Sequence, residues 1–445
     1  MKAYILFFLA FFAPPLPAYI DPGTGSMLFS FLTGIGVTAF FFVKNVLLKL
    51  KSGSLGGALR GGKAKAREGA STVSLVMYSE GKQYWNVFKP VVEELVRRNI
   101  PCAYYSSGED DPGLSFPSPL VRREFIGKGN AAYRFLNFLE ADICLMTTPG
   151  LDVLQLKRSP GVKHYAHILH MVSDATTYRL FGLDYYDSIF LTGEYQKKDL
   201  RKLEELRGLK HRNLFVAGCS YLDALSDRIG EFLPAPALTA EQGERSKTVL
   251  VAPSWGANGI LRRYGLKLLE PLAKSSYRVI IRPHPQSLIS ESDTVAALRS
   301  RLDAFETVEW DFDVENLRSL SRADALISDF SGVIFDYAFL FERPVAYPRF
   351  EFDKRSYDLS DIEDEAWTFR SIRELGAAVN EEDFERIEEL LDGIIGEEGK
   401  KEAIRRLKNE AYMYPGEAGK RTVDELLAIR DGLPVPGAAD TPVTG

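Results

Sequence analysis

Cysteine is scarce in this chain: three residues in 445, at Cys102, Cys144 and Cys219. They are scattered at no metal-ligand spacing, so no zinc site is encoded, and they read as buried, reduced thiols of a body held in a reducing compartment. An excess of positive charge is also missing. Lys and Arg total 55 against 61 Asp and Glu, a formal net charge of -6, and this argues against a general nucleic-acid binder. No Asp-rich cluster calls for an obligatory metal, although Mg²⁺ is left open. No internal repeat is visible beyond a shared strand–helix rhythm.

Apolar runs long enough to concern a bilayer are confined to the amino end. Met1-Lys2 precedes an apolar run from Ala3 to Ala13 and then Pro14 to Ala18. This suits a signal peptide over residues 1–18, with Ala18 as a cleavage point. Residues 26–48 are apolar, with Lys44 able to snorkel, and read as a transmembrane helix. Lys49, Lys51, Arg60, Lys63, Lys65 and Arg67 follow in a Gly- and Ala-rich flexible linker over 49–70. That basic flank places the body after it on the cytoplasmic side, with the amino end as a single-pass or hairpin anchor able to contact anionic membrane lipids.

From residue 71 the pattern becomes α/β. Apolar runs at Thr72 to Tyr78, Cys102 to Tyr105, Val121 to Ile126, Ala141 to Met146, Val162 to Leu169, Ser188 to Leu191 and Leu214 to Ala217 predict strands. Amphipathic helices are predicted at Tyr84 to Arg98, Ala131 to Leu139 and Glu194 to Leu206. Pro90 either kinks the first helix or marks its first turn. A Pro- and Gly-bearing break over 232–245 separates this unit, residues 71–231, from a second at 246–431. There, strands at Thr248 to Ala252, Arg278 to Ile281, Ala323 to Ile327 and Pro344 to Tyr347 alternate with helices at Ile260 to Leu272, Val314 to Ser321 and Val333 to Phe341. Acidic helices follow from Glu381, and a disordered tail occupies 432–445. Two Rossmann-like domains facing a cleft are the expected architecture.

The chemistry is expected where the second unit's strands end. Arg282-Pro283-His284-Pro285 closes one strand, and its prolines fix the backbone around His284. Ser328-Asp329-Phe330-Ser331-Gly332 closes another and opens the helix Val333 to Phe341, with Ser331 as its expected N-cap. Forked Arg282 donors and free amides at a helix start suit a phosphate. Ser254, in the glycine-bearing loop Pro253 to Gly259, sits where the first loop of such a domain meets its ligand. In the first unit His164, His167 and His170 recur at spacing three. On a strand that spacing points side chains to opposite faces, so one metal held by all three is disfavoured. His170, at the strand end, is placed to take a proton from an attacking hydroxyl.

Arg282 to Pro285, Asp313 to Leu317, Ala323 to Tyr337 and Arg343-Pro344 together resemble the CDP-glycerol glycerophosphotransferases of teichoic-acid-type synthesis. Val251 to Trp255 also resembles the strand and loop before that family's donor site. The resemblance implies a glycosyltransferase-B-like fold, a membrane-associated acceptor and transfer of glycerol phosphate, or a similar polyol phosphate, from a CDP-linked alcohol to a hydroxyl with release of CMP. It implies that His284 and the helix start at Ser331 hold the donor phosphates, and that His170 matches the family's first-domain base. Two positions depart from the family pattern: Met171 stands where glycine normally follows that histidine, and Gly332 stands where a second serine is usual. A nucleotide-sugar glycosyltransferase of the same fold and a non-catalytic membrane-anchored scaffold are the alternatives.

Overall fold

Among the described residues thirteen short strands separate into two sheets, and every pairing in both is parallel. In this computed structural model the structure describes residues 74–232, 246–350, 352–395, 397 and 399–432. The expected signal peptide, transmembrane helix, basic linker, most of the break at 232–245 and nearly all of the tail lie outside them. Among the described residues no helix is long and apolar enough to cross a membrane.

The first sheet holds β1 (Leu75–Ser79), β2 (Cys102–Ser106), β3 (Val121–Phe125), β4 (Ala141–Met146), β5 (Val162–Ile168), β6 (Ser188–Leu191) and β7 (Asn213–Val216), in the order β3-β2-β1-β4-β5-β6-β7. The second holds β8 (Thr248–Val251), β9 (Arg278–Ile281), β10 (Val308–Trp310), β11 (Ala325–Ile327), β12 (Val345–Pro348) and β13 (Gly376–Val379), in the order β10-β9-β8-β11-β12-β13. Strands such as β1 and β8 are buried along their whole length because helices cover both faces, which is why they read as unbroken apolar runs rather than alternating ones. Strand order reverses between β1 and β4 and again between β8 and β11. Ligands of open parallel sheets bind outside the carboxyl ends of the strands at such points.

The helix Trp85–Arg97 buries Val87, Phe88, Val91, Val92 and Leu95 on one face, and Pro90 lies inside it without ending it. The last helix, Ala418–Arg430, crosses back onto it. A Cβ at Gly419 would stand 2.5 Å from the Pro90 carbonyl oxygen, so only glycine permits this approach. Arg98 and Asp424 close the crossing with an ion pair at 2.6 Å.

The two sheet units share one apolar cluster. Val172, Cys219 and Leu222 from the first pack with Leu250, Ile334, Phe335 and Trp367 from the second. Beside it, the buried Asp174 carboxylate accepts the amides of Trp367 (3.0 Å) and Thr368 (2.7 Å) at the start of the helix Trp367–Leu375. A helix start is electropositive, so this carboxylate is well placed to fasten the loop after β5 to the second unit.

Candidate active site

The carboxyl edge of the second sheet is built from three loops bolted together by buried carboxylates. Asp329, 1% exposed, accepts the amides of Ser254 (2.9 Å), Ile260 (3.1 Å) and Phe330 (2.8 Å). Burial pushes its carboxyl up even against three hydrogen bonds that favour the charged form. Glu291 accepts the Gly256 amide at 3.2 Å and the Ser287 hydroxyl at 2.8 Å. Ser328 is fully buried, and its hydroxyl donates to the Ala252 carbonyl at 2.6 Å. The geometry therefore gives Ser328 and Asp329 the work of shaping the loops, and the hydrogen bonds made at Ser254 fix its loop through its amide.

Arg282 differs from the sequence expectation in the direction its fork takes. Its guanidinium pairs with Asp311 at 2.5 Å and donates to the carbonyls of Asp313 (2.7 Å) and Val314 (3.2 Å). It closes the loop after β10 against the loop after β9, and these donors face protein acceptors.

His284 is oriented by its own loop. Its Nδ1 accepts the Gln286 amide at 3.0 Å, so the neutral ring carries its proton on Nε2. Burial pulls its pKa down, with Glu291 opposing. The result is a neutral imidazole offering one N–H, beside the Trp255 ring at 6.4 Å between centroids.

Ser331 is not the N-cap. Gly332 holds that position, with no side-chain cap, and the Ser331 carbonyl accepts the Ile334 amide at 3.2 Å. The first amides of the helix Val333–Phe341 have no acceptor four residues back, and they open where Ser331, Gly332 and Val333 are only partly buried. Across from them lies the loop after β5: a Cβ on Gly332 would stand 3.1 Å from Met171 Sδ. The two departures from the family motif thus face each other, a larger residue at 171 against a smaller one at 332.

His170 is the residue before Met171 on that loop. Its Nδ1 lies 2.9 Å from the Tyr178 hydroxyl, which lies 3.3 Å from His167 Nε2. His167 is fully buried and its Nδ1 has no partner. A buried N–H left unpaired costs about 1–3 kcal/mol, so the His167 proton belongs on Nε2. The chain then runs from His167 to Tyr178 to His170, and the resting His170 shows an N–H at Nε2. Burial lowers its pKa to about 4. His164, by contrast, bonds Ser188 at 2.7 Å, and the three histidines do not converge on one metal. Among the described residues no group of three or more His, Cys, Asp or Glu could hold one.

Sequence reasoning missed Glu80, Tyr84 and Tyr178. The Tyr84 ring stands edge-on to His170 at 5.4 Å, and burial raises the Glu80 carboxyl. Nothing in their spacing marks them, because their meeting depends on strand order. Asp336 was also missed as a titrating group. Buried on the motif helix, it accepts from Tyr221 (3.3 Å) and Asn316 (3.4 Å), and burial raises its pKa to about 7.

The family described as CDP-glycerol:poly(glycerophosphate) glycerophosphotransferase matches residues 169–406, a span that begins at Leu169 and includes His170, His284 and the Ser328–Gly332 motif. No curated protein matches the chain. Among solved structures, the wall teichoic acid polymerase TagF in a form soaked with CDPG is 17% identical, with a TM-score of 0.53 over 83% of this chain and 91% of that one. The UDP-GlcNAc 2-epimerase of Methanocaldococcus jannaschii, in complex with UDP-GlcNAc and UDP, is 15% identical with a TM-score of 0.53 over 80% and 99%. Likeness at these identities establishes the two-sheet fold that both share.

Proposed function

From the premise that this chain belongs to the CDP-glycerol:poly(glycerophosphate) glycerophosphotransferase family, we propose that it transfers glycerol phosphate from CDP-glycerol to an acceptor hydroxyl and releases CMP, in the synthesis of a teichoic-acid-type polymer. The observation that supports the reading is the contact of the His170–Met171 loop with the helix start at Gly332, where a Cβ would stand 3.1 Å from Met171 Sδ.

In this reading the acceptor oxygen attacks the phosphorus bonded to glycerol. The P–O bond to the cytidylate breaks, and CMP departs with the electron pair. His284 Nε2–H and the amides at Ser331, Gly332 and Val333 meet the charge that develops on the phosphoryl oxygens, and each such donor contributes about 2–4 kcal/mol. Glycine at 332 leaves its amide in place and lets the chain approach closely.

His170 takes the acceptor's proton. For that its hydrogen-bond chain must reverse, so that Nδ1–H faces Tyr178 and Nε2 is bare. The reversal leaves a buried N–H on His167, a cost of about 1–3 kcal/mol. A bound diphosphate offsets part of that cost by favouring the imidazolium. Mg²⁺ arriving on the diphosphate is compatible with this scheme.

The apolar segment 26–48 and its basic flank support a membrane anchor, a cytoplasmic body and an acceptor that is itself membrane-associated. The test of the donor is a thermal-shift comparison. CDP-glycerol is expected to raise the unfolding midpoint of the full chain and UDP-GlcNAc to leave it unchanged. The reverse order would assign the site to a nucleotide sugar.

A further inference from the structure

A second cavity, of about 350 Å³, opens at the carboxyl edge of the first sheet, above β1, β2 and β3. We propose that it binds the acceptor as a polyol phosphate, with Lys128 on the phosphate and Glu80 among the polyol hydroxyls; this rests on the transfer reaction proposed above.

Its position suits an acceptor. The walls come from Glu80 and Gly81 after β1, Ser107 and Gly108 after β2, and Lys128 after β3. The turn Lys82–Tyr84 that forms one side carries the Tyr84 ring, which stands against His170 at 5.4 Å. The turn that walls the cavity therefore also carries the ring that touches the proposed base.

Its chemistry suits a polyol phosphate. Lys82 is paired with Asp110 at 2.6 Å, and Lys128, which also acts on the Asp110 carboxylate from a distance but forms no close ion pair among the described residues, is the cation offered to the phosphate. The Tyr78 and Ser107 hydroxyls lie 2.9 Å apart on the wall, a pair able to exchange bonds with ligand hydroxyls. Glu80, whose carboxyl burial pushes upward, lines the same wall and offers two oxygens to ligand hydroxyls. Backbone approach is close: a Cβ on Gly108 would stand 2.9 Å from the Gly81 Cα. The volume is at the small end of ligand sites and fits one or two polyol phosphate units.

The experiment is a calorimetric titration of the full chain with a short oligo(glycerol phosphate), and separately with CDP-glycerol. Lys128→Glu is expected to weaken the oligomer by about tenfold or more and leave CDP-glycerol within about twofold. Glu80→Gln is expected to raise the KM for the oligomer more than it changes kcat. Oligomer affinity unchanged in Lys128→Glu, equal loss for both ligands, or no oligomer binding to the wild-type chain would overturn the site. Lys128-dependent oligomer binding in a chain that ignores CDP-glycerol would uphold the cavity and remove the donor assignment instead.

Discussion

At the scale of single residues, the account depends on where protons sit. His284 is held as a neutral N–H donor by the Gln286 amide on its Nδ1. In the resting chain His170 receives the Tyr178 hydroxyl because a proton on the unpartnered His167 Nδ1 would be buried without an acceptor. Imidazole ¹⁵N shifts test this: at neutral pH both His170 and His284 should show a protonated Nε2 and a bare Nδ1. His170, with its pKa lowered to about 4, should stay neutral as the pH falls through 6.5, the ordinary histidine midpoint. Protonation of His170 near 6.5, or a protonated Nδ1 in the resting chain, would contradict the chain of hydrogen bonds. Only part of this was legible in sequence. The prolines around His284 announce a fixed imidazole, but Arg282 reads as a phosphate fork and instead closes a loop on Asp311. A forked donor suits a carboxylate and a phosphate alike, and no local signal separates the two.

At the scale of elements, strands and helices with a strong apolar period were readable almost to the residue. Ala141–Met146, Ser188–Leu191, Arg278–Ile281 and Val333–Phe341 stand as expected. The helix expected from Ile260 to Leu272 breaks into Ile260–Arg263 and Leu266–Lys274 because Gly265 takes a φ of +47°. Strands β10 and β13 were not expected. Val308–Trp310 is three residues with a polar centre, and Gly376–Val379 carries glycine and alanine, so neighbours rather than propensity make them strands.

The contact between the β5 loop and the motif helix is the element-scale feature that pattern reading cannot see. It predicts a coupled pair. Gly332→Ser alone forces a Cβ to 3.1 Å from Met171 Sδ and should lower stability to urea by about 1 kcal/mol. Adding Met171→Gly should recover at least about 0.5 kcal/mol of that beyond additivity. Strict additivity of the two changes would show that the positions do not touch.

At the scale of the whole molecule, the two sheet units are joined through buried acids. Asp174 fastens the β5 loop to a second-unit helix, and Asp336 meets Tyr221 across the same interface. Asp336 makes stability pH-dependent. Its folded pKa, raised to about 7 from 3.8, means the folded chain keeps a proton that the unfolded chain gives up. Its contribution is complete below about pH 4 and is lost as the pH rises toward 7. Asp336→Asn, neutral throughout, should flatten the decline in Tm across that window and leave the variant more stable than the wild type at pH 8. An unchanged pH profile would mean that Asp336 is already ionised at neutral pH.

The molecule as a whole stands or falls on its donor chemistry. The most direct measurement is CMP released from CDP-glycerol by the full chain in the presence of an oligo(glycerol phosphate) acceptor, for the wild type and for His284→Ala. The account predicts one CMP per glycerol phosphate added to the acceptor, and a loss of about a hundredfold or more in kcat for the variant. Wild-type turnover by His284→Ala would contradict it.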